Sequence, residues 1–202
     1  FGGLGMSELD FVLLAQECGY VALPEPLVHT ALVAVPVLRQ LGGDLATQWL
    51  PRIAAGEAKV AVGLEQNLLV EDAHTADLLL MQHGDAWYAL KQEQVDLRAN
   101  ESVDPSRRLC AVAIKSAVPP VATGVQADAL TLAAMDRGAL GCAAQALGLA
   151  QRMVDLAVSY SADRQQFGKP IGSFQAVKHL MANVAVRLEF ARPPVHRAAG
   201  SL

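Results

Sequence analysis

The sequence has few aromatic residues, few cysteines and no concentration of charge of one sign. Aromatic residues make up 5% of the 202 residues, whereas apolar residues as a whole make up 52%. Alanine and leucine therefore supply most of the expected core, which favours closely packed helices over a β-sandwich. The three cysteines are widely scattered and odd in number. We therefore predict no disulfide scaffold, and we predict that the protein lies in a reducing compartment, the cytoplasm.

Charge and hydropathy also argue against two classes of partner. The net charge is −4, from 16 basic and 20 acidic residues without a basic block, so nucleic acid is not a predicted partner. The most apolar early segment, residues 21–38, is interrupted by three prolines, a glutamate and a histidine. We therefore predict neither a signal peptide nor a membrane span. The five histidines lack the spacing of a metal site, so no metal is predicted.

Apolar periodicity predicts a helical layer, then a β module, then long helices. The helical layer covers residues 1–56, with Ser7 as the first N-cap. Further helices are predicted over residues 28–40, with Pro36 as a kink or a start, and in two short pieces that begin at Asp44 and Pro51. Short apolar runs then predict strands at residues 59–62, 76–81, 87–90, 94–97 and 109–114. Helical spacing resumes near residue 130.

The stretch from Tyr160 to Gln175 separates two segments with helical apolar spacing and is the candidate functional region. Gly168 and Pro170 predict the end of the first helix, and Ser173 is the predicted N-cap of the second. The result is a helical hairpin whose tip presents Arg164 and Gln175.

This stretch resembles the C-terminal signature of the acyl-CoA dehydrogenase family. The matching residues, in the family's order, are Tyr160, Arg164, Phe167, Gly168, Pro170, Ile171, Phe174 and Gln175. Further similarities lie near the start, at residues 2–7, 17–19 and 50–57. The resemblance implies a mainly α fold with an inserted β module: an N-terminal helical domain (1–57), a middle β-barrel domain (58–128) and a C-terminal helical bundle (129–202), of which two helices are present.

The resemblance also implies FAD-dependent α,β-dehydrogenation of an acyl-CoA thioester. In the family a carboxylate takes the α-proton, FAD accepts the β-hydride, and an electron-transfer flavoprotein then receives the electrons. The family counterparts of Arg164, Phe167 and Gln175 reach the FAD of a neighbouring subunit, so these three are the implied cofactor-binding residues. The chain is then expected in a homo- or hetero-oligomer, a dimer or tetramer. A guanidinium group suits a pyrophosphate because its fork matches phosphate oxygens.

Each candidate also has a purely structural interpretation. Arg164 could compensate the dipole at a helix C-terminus, and Gln175 could cap the following helix. Phe167 is expected to lie partly in the core in either case. Cys142, in an alanine-rich helix, is expected in the core, and His179 is expected at a packed or interfacial position.

Three departures from the family pattern qualify the resemblance. Asn67 runs directly into Leu68 where the family has glycine-rich, flavin-facing segments. Either the gene has lost these segments or the chain is a concatenation of separate segments. We favour the concatenation, because a direct join leaves too few strands to close a barrel. Gly138 occupies the position of the catalytic glutamate in one branch of the family, and Asp136, about 200° around the helix, cannot replace it. The other branch has its glutamate beyond residue 202, where we expect the bundle to continue; residues before Phe1 are expected as well.

Three functions remain open. The leading one is an FAD-dependent acyl-CoA dehydrogenase. The second is a non-catalytic or half-site partner subunit of a heteromeric acyl-CoA dehydrogenase, because of Gly138 and of Leu64-Glu65-Gln66 in place of the family's residues. The short middle segment also resembles subunits of bacterial side-chain and ring catabolism, steroid breakdown included. The third is a flavin oxidase or monooxygenase on the same scaffold. The sequence predicts neither the catalytic base nor the acyl chain.

Overall fold

A computed structural model describes residues 5–67, 69–115 and 117–202 of the chain. Leu68, on one side of the predicted join, lies outside the described residues. The chain divides into two compact units. The first unit contains Pro24–Ala139, and the second contains Met6–Leu23 and Leu140–Leu202. The division into three domains stays a prediction. None of the described helices combines the length and the apolar character that crossing a membrane requires.

In the first unit, a π-helical segment, Val28–Ala34, leads directly into α2 (Val35–Leu41). Pro36 lies in the first turn of α2, where its missing N–H and its ring would disturb an α-helix running through it. The wider turns of the π segment shift the preceding carbonyl groups and so accommodate the proline. The predicted helix over residues 28–40 is therefore helical throughout, with a change of hydrogen-bonding pattern near Pro36.

The next helix, α3 (Gly43–Ala54), is continuous, so the prediction of two short pieces is wrong. Pro51 lies inside it, and a proline in a helix interior costs about 3 kcal/mol. Trp49 and Leu50 are buried on the same helix, and burying such side chains contributes about 1.5–3 kcal/mol each. Their packing therefore outweighs the break in local hydrogen bonding. Asp44, the predicted N-cap, lies inside the first turn.

The strands of the first unit form two sheets. In chain order the strands are β1 (Val60–Gly63), β2 (Val70–Glu71), β3 (Leu78–His83), β4 (Ala86–Leu90), β5 (Val95–Asn100), β6 (Leu109–Ile114) and β7 (Ala122–Thr123). One sheet has the order β1-β3-β4-β7, in which β1 and β3 are parallel, and the other is antiparallel with the order β2-β6-β5. All five predicted strands are confirmed. β2 and β7 have two residues each, too few to show alternation.

The two sheets contribute to one buried core. Its members come from both sheets and from the segment after β2: Ala61, Val70, Ala73, Ala76, Leu79, Leu90, Val95 and Cys110. Within the described residues, the β module thus consists of two hydrogen-bonded sheets and not of one closed ring. It buries its apolar residues with the strands present, although the described strands do not close into a barrel.

The four-stranded sheet shares a second core with the helices of the first unit. Trp87 is fully buried there, and its indole N–H donates to Thr131 Oγ1 at 2.9 Å and to the carbonyl oxygen of Ala127 at 3.2 Å. Both acceptors lie on α4 (Gly124–Asp163), which begins before the predicted start near residue 130. These bonds join the β module to the start of α4.

The second unit is built from α1 (Glu8–Tyr20), the later part of α4, and α5 (Gln175–Ala199). Ser7 is the N-cap of α1, as predicted, and forms a capping box with Asp10. A small buried core joins the three helices: Val12, Ala15, Leu140, Ala144 and Ala199.

Helices α1 and α4 approach each other at two glycines. A Cβ atom on Gly148 would overlap the carbonyl oxygen of Gln16, and one on Gly19 would overlap the carbonyl oxygen of Gln145. The contact is between backbones, so neither neighbour can move aside as a flexible side chain would. Glycine at these two positions is therefore required by the helix crossing.

Polar groups join the same three helices. The Tyr20 hydroxyl donates to Asp155 Oδ2 at 2.9 Å, and Gln151 Nε2 donates to Asp155 Oδ1 at 2.8 Å. From α5, Arg192 Nη2 donates to Gln151 Oε1 at 2.7 Å. This chain of bonds fixes the end of α4 relative to α1 and α5.

Candidate cofactor-binding hairpin

The chain reverses between α4 and α5 through a very short β-hairpin. β8 (Gln165–Gln166) pairs antiparallel with β9 (Lys169–Pro170), and Phe167 and Gly168 form the two-residue loop. Their φ angles are 53° and 76°. Positive φ at both loop residues is typical of a type I′ turn, whose twist matches that of the paired strands. Glycine adopts this conformation freely, whereas phenylalanine is strained in it.

Phe167 is 91% exposed, so the expectation that it lies partly in the core is wrong. Its ring meets that of Phe174 edge to face, with centroids 6.2 Å apart and planes at 89°. Lys169 Nζ lies 4.4 Å from the centroid of the Phe174 ring. The turn therefore presents an aromatic ring to the outside in a strained conformation, an arrangement that clusters at functional sites.

Arg164 lies directly before this hairpin, with an ordered backbone and an unpaired side chain. Its N–H donates to the carbonyl oxygen of Tyr160 at 2.9 Å, and its own carbonyl oxygen accepts from the N–H of Ile171 at 2.8 Å. The guanidinium group is exposed and has no hydrogen bond or ion pair with any residue that the structure describes. Hydrogen bonds thus fix the backbone at Arg164, while its guanidinium group is open to a ligand.

Gln175 is the first residue of α5, and its side chain is exposed. Phe174 precedes it as the N-cap, and no side chain caps this helix. The predicted N-cap, Ser173, lies instead in a 3₁₀ turn, Ile171–Ser173, so that prediction is wrong. Gln175 does not cap α5 either. The side-chain amide of Gln175 is therefore open to a ligand.

The hairpin rests on a close contact that sequence reasoning missed. A Cβ atom on Gly172 would lie 2.9 Å from the carbonyl oxygen of Ser161, closer than real side chains approach. Ser161 itself is buried, and its hydroxyl lies 3.8 Å from Met181 Sδ. The signal in the sequence was Gly172 itself, because a glycine between helices often marks a close backbone approach. This contact holds the 3₁₀ turn against the end of α4.

Gly138, the position at which the resemblance places the catalytic glutamate of one branch of the family, lies in the middle of α4. Gly138 has helical backbone geometry, and the nearest atom to an added Cβ would be Val33 Cγ2 at 3.8 Å. Packing therefore leaves room for a side chain at this position. Asp136 is exposed. Packing around a Cβ atom therefore does not require glycine at this position.

One further expectation for α4 is wrong, and one for α5 stays a prediction. Cys142 is exposed on α4 and does not lie in the core. His179 is exposed on α5, so it is not packed within this chain, and an interfacial position stays a prediction. Among the described residues, no three histidine, cysteine, aspartate or glutamate side chains are grouped so that they could hold a metal ion.

A charged cluster in the first unit was not anticipated. Glu71, at the end of β2, accepts from Arg107 Nε at 2.9 Å and lies 3.1 Å from His29 Nδ1. Its carboxylate is largely buried, at 12% exposure. The hydrogen bond from His29 lowers the pKa of Glu71 most, and Arg107 lowers it further against the opposing effect of burial. The cluster ties a helix, a strand and a loop together.

Because the pKa of Glu71 is lower in the folded chain, its contribution to stability is present above its ordinary pKa of 4.5 and is lost as the pH falls through the folded value. We expect Glu71→Gln to lower the free energy of unfolding at neutral pH by about 1 kcal/mol. The loss should shrink at acidic pH. Urea unfolding at neutral pH and at a pH well below 4.5, where the carboxyl group is protonated in the folded protein too, tests this. An equal loss at both pH values would contradict the prediction.

The comparisons with known proteins agree with the hairpin motif. Residues 129–202 match the family model "Acyl-CoA dehydrogenase, C-terminal domain". Acyl-CoA dehydrogenase IpdE2 of Mycolicibacterium smegmatis is 35% identical over 97% of this chain and 58% of its own length. IpdE2 of Mycobacterium tuberculosis is 32% identical over 96% of this chain and 57% of its own length. The chain belongs to the acyl-CoA dehydrogenase family. It spans just under three fifths of the length of these two relatives.

The family assignment agrees with the fold. A glutaryl-CoA dehydrogenase from Mycobacterium smegmatis, solved with FADH2, superposes with a TM-score of 0.83 at 15% identity, covering 96% of this chain and 61% of the other. The predicted fold class, helices with an inserted β module in the arrangement of acyl-CoA dehydrogenases, is confirmed.

The relative from Mycolicibacterium smegmatis also bears on the join between Asn67 and Leu68. The alignment with this relative is 196 residues long and covers 97% of this chain. Because 97% of 202 residues is about 196, the alignment is as long as the part of this chain that it covers. The alignment therefore leaves no room for an extra segment of the relative at the join. The short middle segment is shared by this acyl-CoA dehydrogenase, which contradicts its interpretation as a concatenation.

Proposed function

We propose that this chain is a subunit of an FAD-dependent acyl-CoA dehydrogenase, which removes hydrogens from Cα and Cβ of an acyl-CoA thioester. The observation that carries the proposal is the hairpin tip, where the unpaired guanidinium of Arg164 stands next to an exposed, strained Phe167. The named activity of the two IpdE2 relatives and the FADH2 bound to the solved relative support it.

The residues at the tip fit the chemical groups of FAD. Arg164 would donate paired hydrogen bonds to the pyrophosphate oxygens, Phe167 would lie against an apolar part of the cofactor, and the Gln175 amide would add a further hydrogen bond. When bound, FAD accepts the hydride from Cβ of the substrate. All three side chains are exposed, so we propose that FAD is held between them and another subunit of a homo- or hetero-oligomer.

The α-proton requires a carboxylate close to Cα. Gly138 has no side chain and cannot act as the base. Asp136 is exposed and lies about 200° away around the helix, so it cannot replace a carboxylate at position 138. We propose that the base comes from the rest of the assembly. The electrons would pass to a separate flavoprotein acceptor.

The proposal is tested on the full-length protein, purified and examined for bound flavin. We expect an oxidised flavin spectrum that bleaches when acyl-CoA thioesters of varied acyl groups are added without oxygen. Re-oxidation by an electron-transfer flavoprotein, and not by oxygen, distinguishes a dehydrogenase from an oxidase. A protein that retains no flavin, and takes up none when FAD is supplied with its partner subunits, would rule the proposal out.

A second candidate is a half-site or non-catalytic subunit of a heteromeric acyl-CoA dehydrogenase. Gly138 favours it, because this position has room for a Cβ atom and yet carries no side chain. This candidate predicts no activity for the protein alone and activity after co-expression with a related subunit that has the glutamate. Full activity of the isolated homo-oligomer would exclude it.

The space at Gly138 gives a prediction about stability. Gly138→Ala should raise the free energy of unfolding by about 0.5–1 kcal/mol, because alanine restricts the unfolded chain and a Cβ meets nothing closer than 3.8 Å. Chemical unfolding of the two proteins measures the difference. A clear loss of stability would mean that the helix needs glycine here for packing.

A further inference from the structure

The exposed ring of Phe167 rests against a stack of two further side chains. It meets the ring of Phe174 edge to face, with centroids 6.2 Å apart and planes at 89°. The ammonium group of Lys169 lies over the same Phe174 ring, 4.4 Å from its centroid. We call these three residues the hairpin stack. Phe174 is half-buried whereas the other two are exposed, so Phe174 is the fixed member against which both neighbours lie.

The backbone around Phe174 sets the position of its ring. Phe174 is the N-cap of α5; its N–H donates to the carbonyl oxygen of Ile171 at 3.1 Å, and its carbonyl oxygen accepts from the N–H of Lys178 at 3.1 Å. The preceding 3₁₀ turn lies against Ser161 through the close contact at Gly172. The end of α4 and the first turn of α5 therefore hold this ring in place.

Lys169 has a fixed backbone and a charge that no acidic group neutralises. It pairs with Gln166 in the hairpin, and its exposed side chain has no ion pair with any residue in the described part of the chain. An ammonium group is attracted to the negative face of an aromatic ring. The lysine thus stabilises the Phe174 ring in the orientation in which it meets Phe167.

The side chain of Phe167 needs such a neighbour. Its φ angle of 53° is strained, and at 91% exposure the side chain buries little apolar surface that could offset the strain. An exposed side chain without a neighbour exchanges between rotamers within nanoseconds. The contact with Phe174 favours one orientation before a ligand arrives, which reduces the entropy that is lost on binding.

We propose that Lys169 and Phe174 are positioning residues, which hold the Phe167 ring ready to lie against a cofactor. They act through the ring contacts of the hairpin stack and do not touch the cofactor themselves. The identity of that cofactor, FAD, rests on the proposed function. The hold on the Phe167 ring in the ligand-free protein does not.

Fluorine NMR of the full-length, flavin-free protein labelled with fluorinated phenylalanine tests the hold on the ring. Phe167→Leu identifies the Phe167 resonance by its loss. We expect Phe174→Leu and Lys169→Met each to shift this resonance, because the neighbouring ring is lost in the first variant and loosened in the second. Lys178→Met removes the same charge from an exposed position on α5 outside the stack and should leave the resonance unchanged. Thermal unfolding of each variant checks that the fold is intact.

A double-mutant cycle on flavin affinity tests the route by which Lys169 acts. Lys169→Met should raise the dissociation constant of FAD about two- to fivefold, the effect of losing an exposed cation–π contact. In a Phe174→Leu background the same change should have no effect, because the ring through which the lysine acts is gone. Lys169→Arg keeps the cation and Phe174→Tyr keeps the ring, so both should retain the parent affinity.

The inference is overturned if the Phe167 resonance is unchanged by both substitutions. It is also overturned if Lys169→Met weakens FAD binding equally with and without the Phe174 ring, because the lysine would then contact the cofactor directly. A protein whose Phe167 resonance responds as expected but which takes up no FAD would refute the proposed function alone. One that binds FAD with equal affinity in all of these variants would refute the positioning role alone.

Discussion

Alanine in place of Gly148 is expected to lower the free energy of unfolding by about 3 kcal/mol or more. Extra volume in a packed contact costs about 1–3 kcal/mol and occasionally more, and here the added Cβ would overlap the backbone oxygen of Gln16. Helices α1 and α4 must then separate, which opens the small core around Val12 and Ala144. Chemical unfolding followed by circular dichroism measures the loss.

Gly138→Ala is the matched control, because it makes the same chemical change on the same helix at a position with free space. The two variants should shift stability in opposite directions, since helix propensity favours alanine at both positions and only the crossing opposes it at Gly148. If Gly148→Ala is as stable as the parent protein, the close approach of α1 and α4 is wrong. The variant should also retain less flavin, because α4 leads directly to the hairpin.

Alanine in place of Arg164 is expected to weaken FAD retention by about 1.5–3 kcal/mol, the contribution of a hydrogen bond to a charged group. This corresponds to roughly a tenfold to hundredfold rise in the dissociation constant. The folded protein should be unaffected, since the guanidinium has no bond to any described residue. Flavin release on dilution, followed by fluorescence, measures the affinity while unfolding experiments verify the fold.

Two further variants make the result specific. Arg187→Ala removes an exposed arginine from α5, controls for the change in net charge, and should retain flavin normally. Arg164→Lys keeps the charge but loses the planar fork, so its affinity should fall between those of the parent and the alanine variant. If Arg164→Ala retains flavin as well as the parent protein, the proposed cofactor role of Arg164 is wrong. Its role would then be to compensate the dipole of α4.

The sequence predicted the elements wherever a single physical cause dominated. The strands β3, β4 and β6 are apolar runs bounded by turn residues, and the Ser7 cap needs only a local hydrogen bond. Prediction failed where packing overrode local preference. Proline ends helices in isolation, yet Pro51 lies inside α3 because buried neighbours outweigh the missing bond.

Burial was the other weak point of sequence reasoning. Phe167 and Cys142 are apolar residues that the sequence placed partly or fully in the core, and both are exposed. Residue type alone does not reveal which side of a turn or helix faces the core. For Phe167 the deciding factor is the positive φ of a two-residue loop, which turns the ring outward.

By itself the sequence determined the family motif, the order of helices and strands, and the residues Arg164, Phe167 and Gln175 as candidates, because these depend on residue identity and spacing along the chain. The tertiary structure alone decided that the Arg164 guanidinium has no partner among the described residues, and that Gly148 and Gly172 lie at backbone contacts. These features join residues far apart in the chain. Their free energies depend on distances of a few ångströms, which only the packed fold sets.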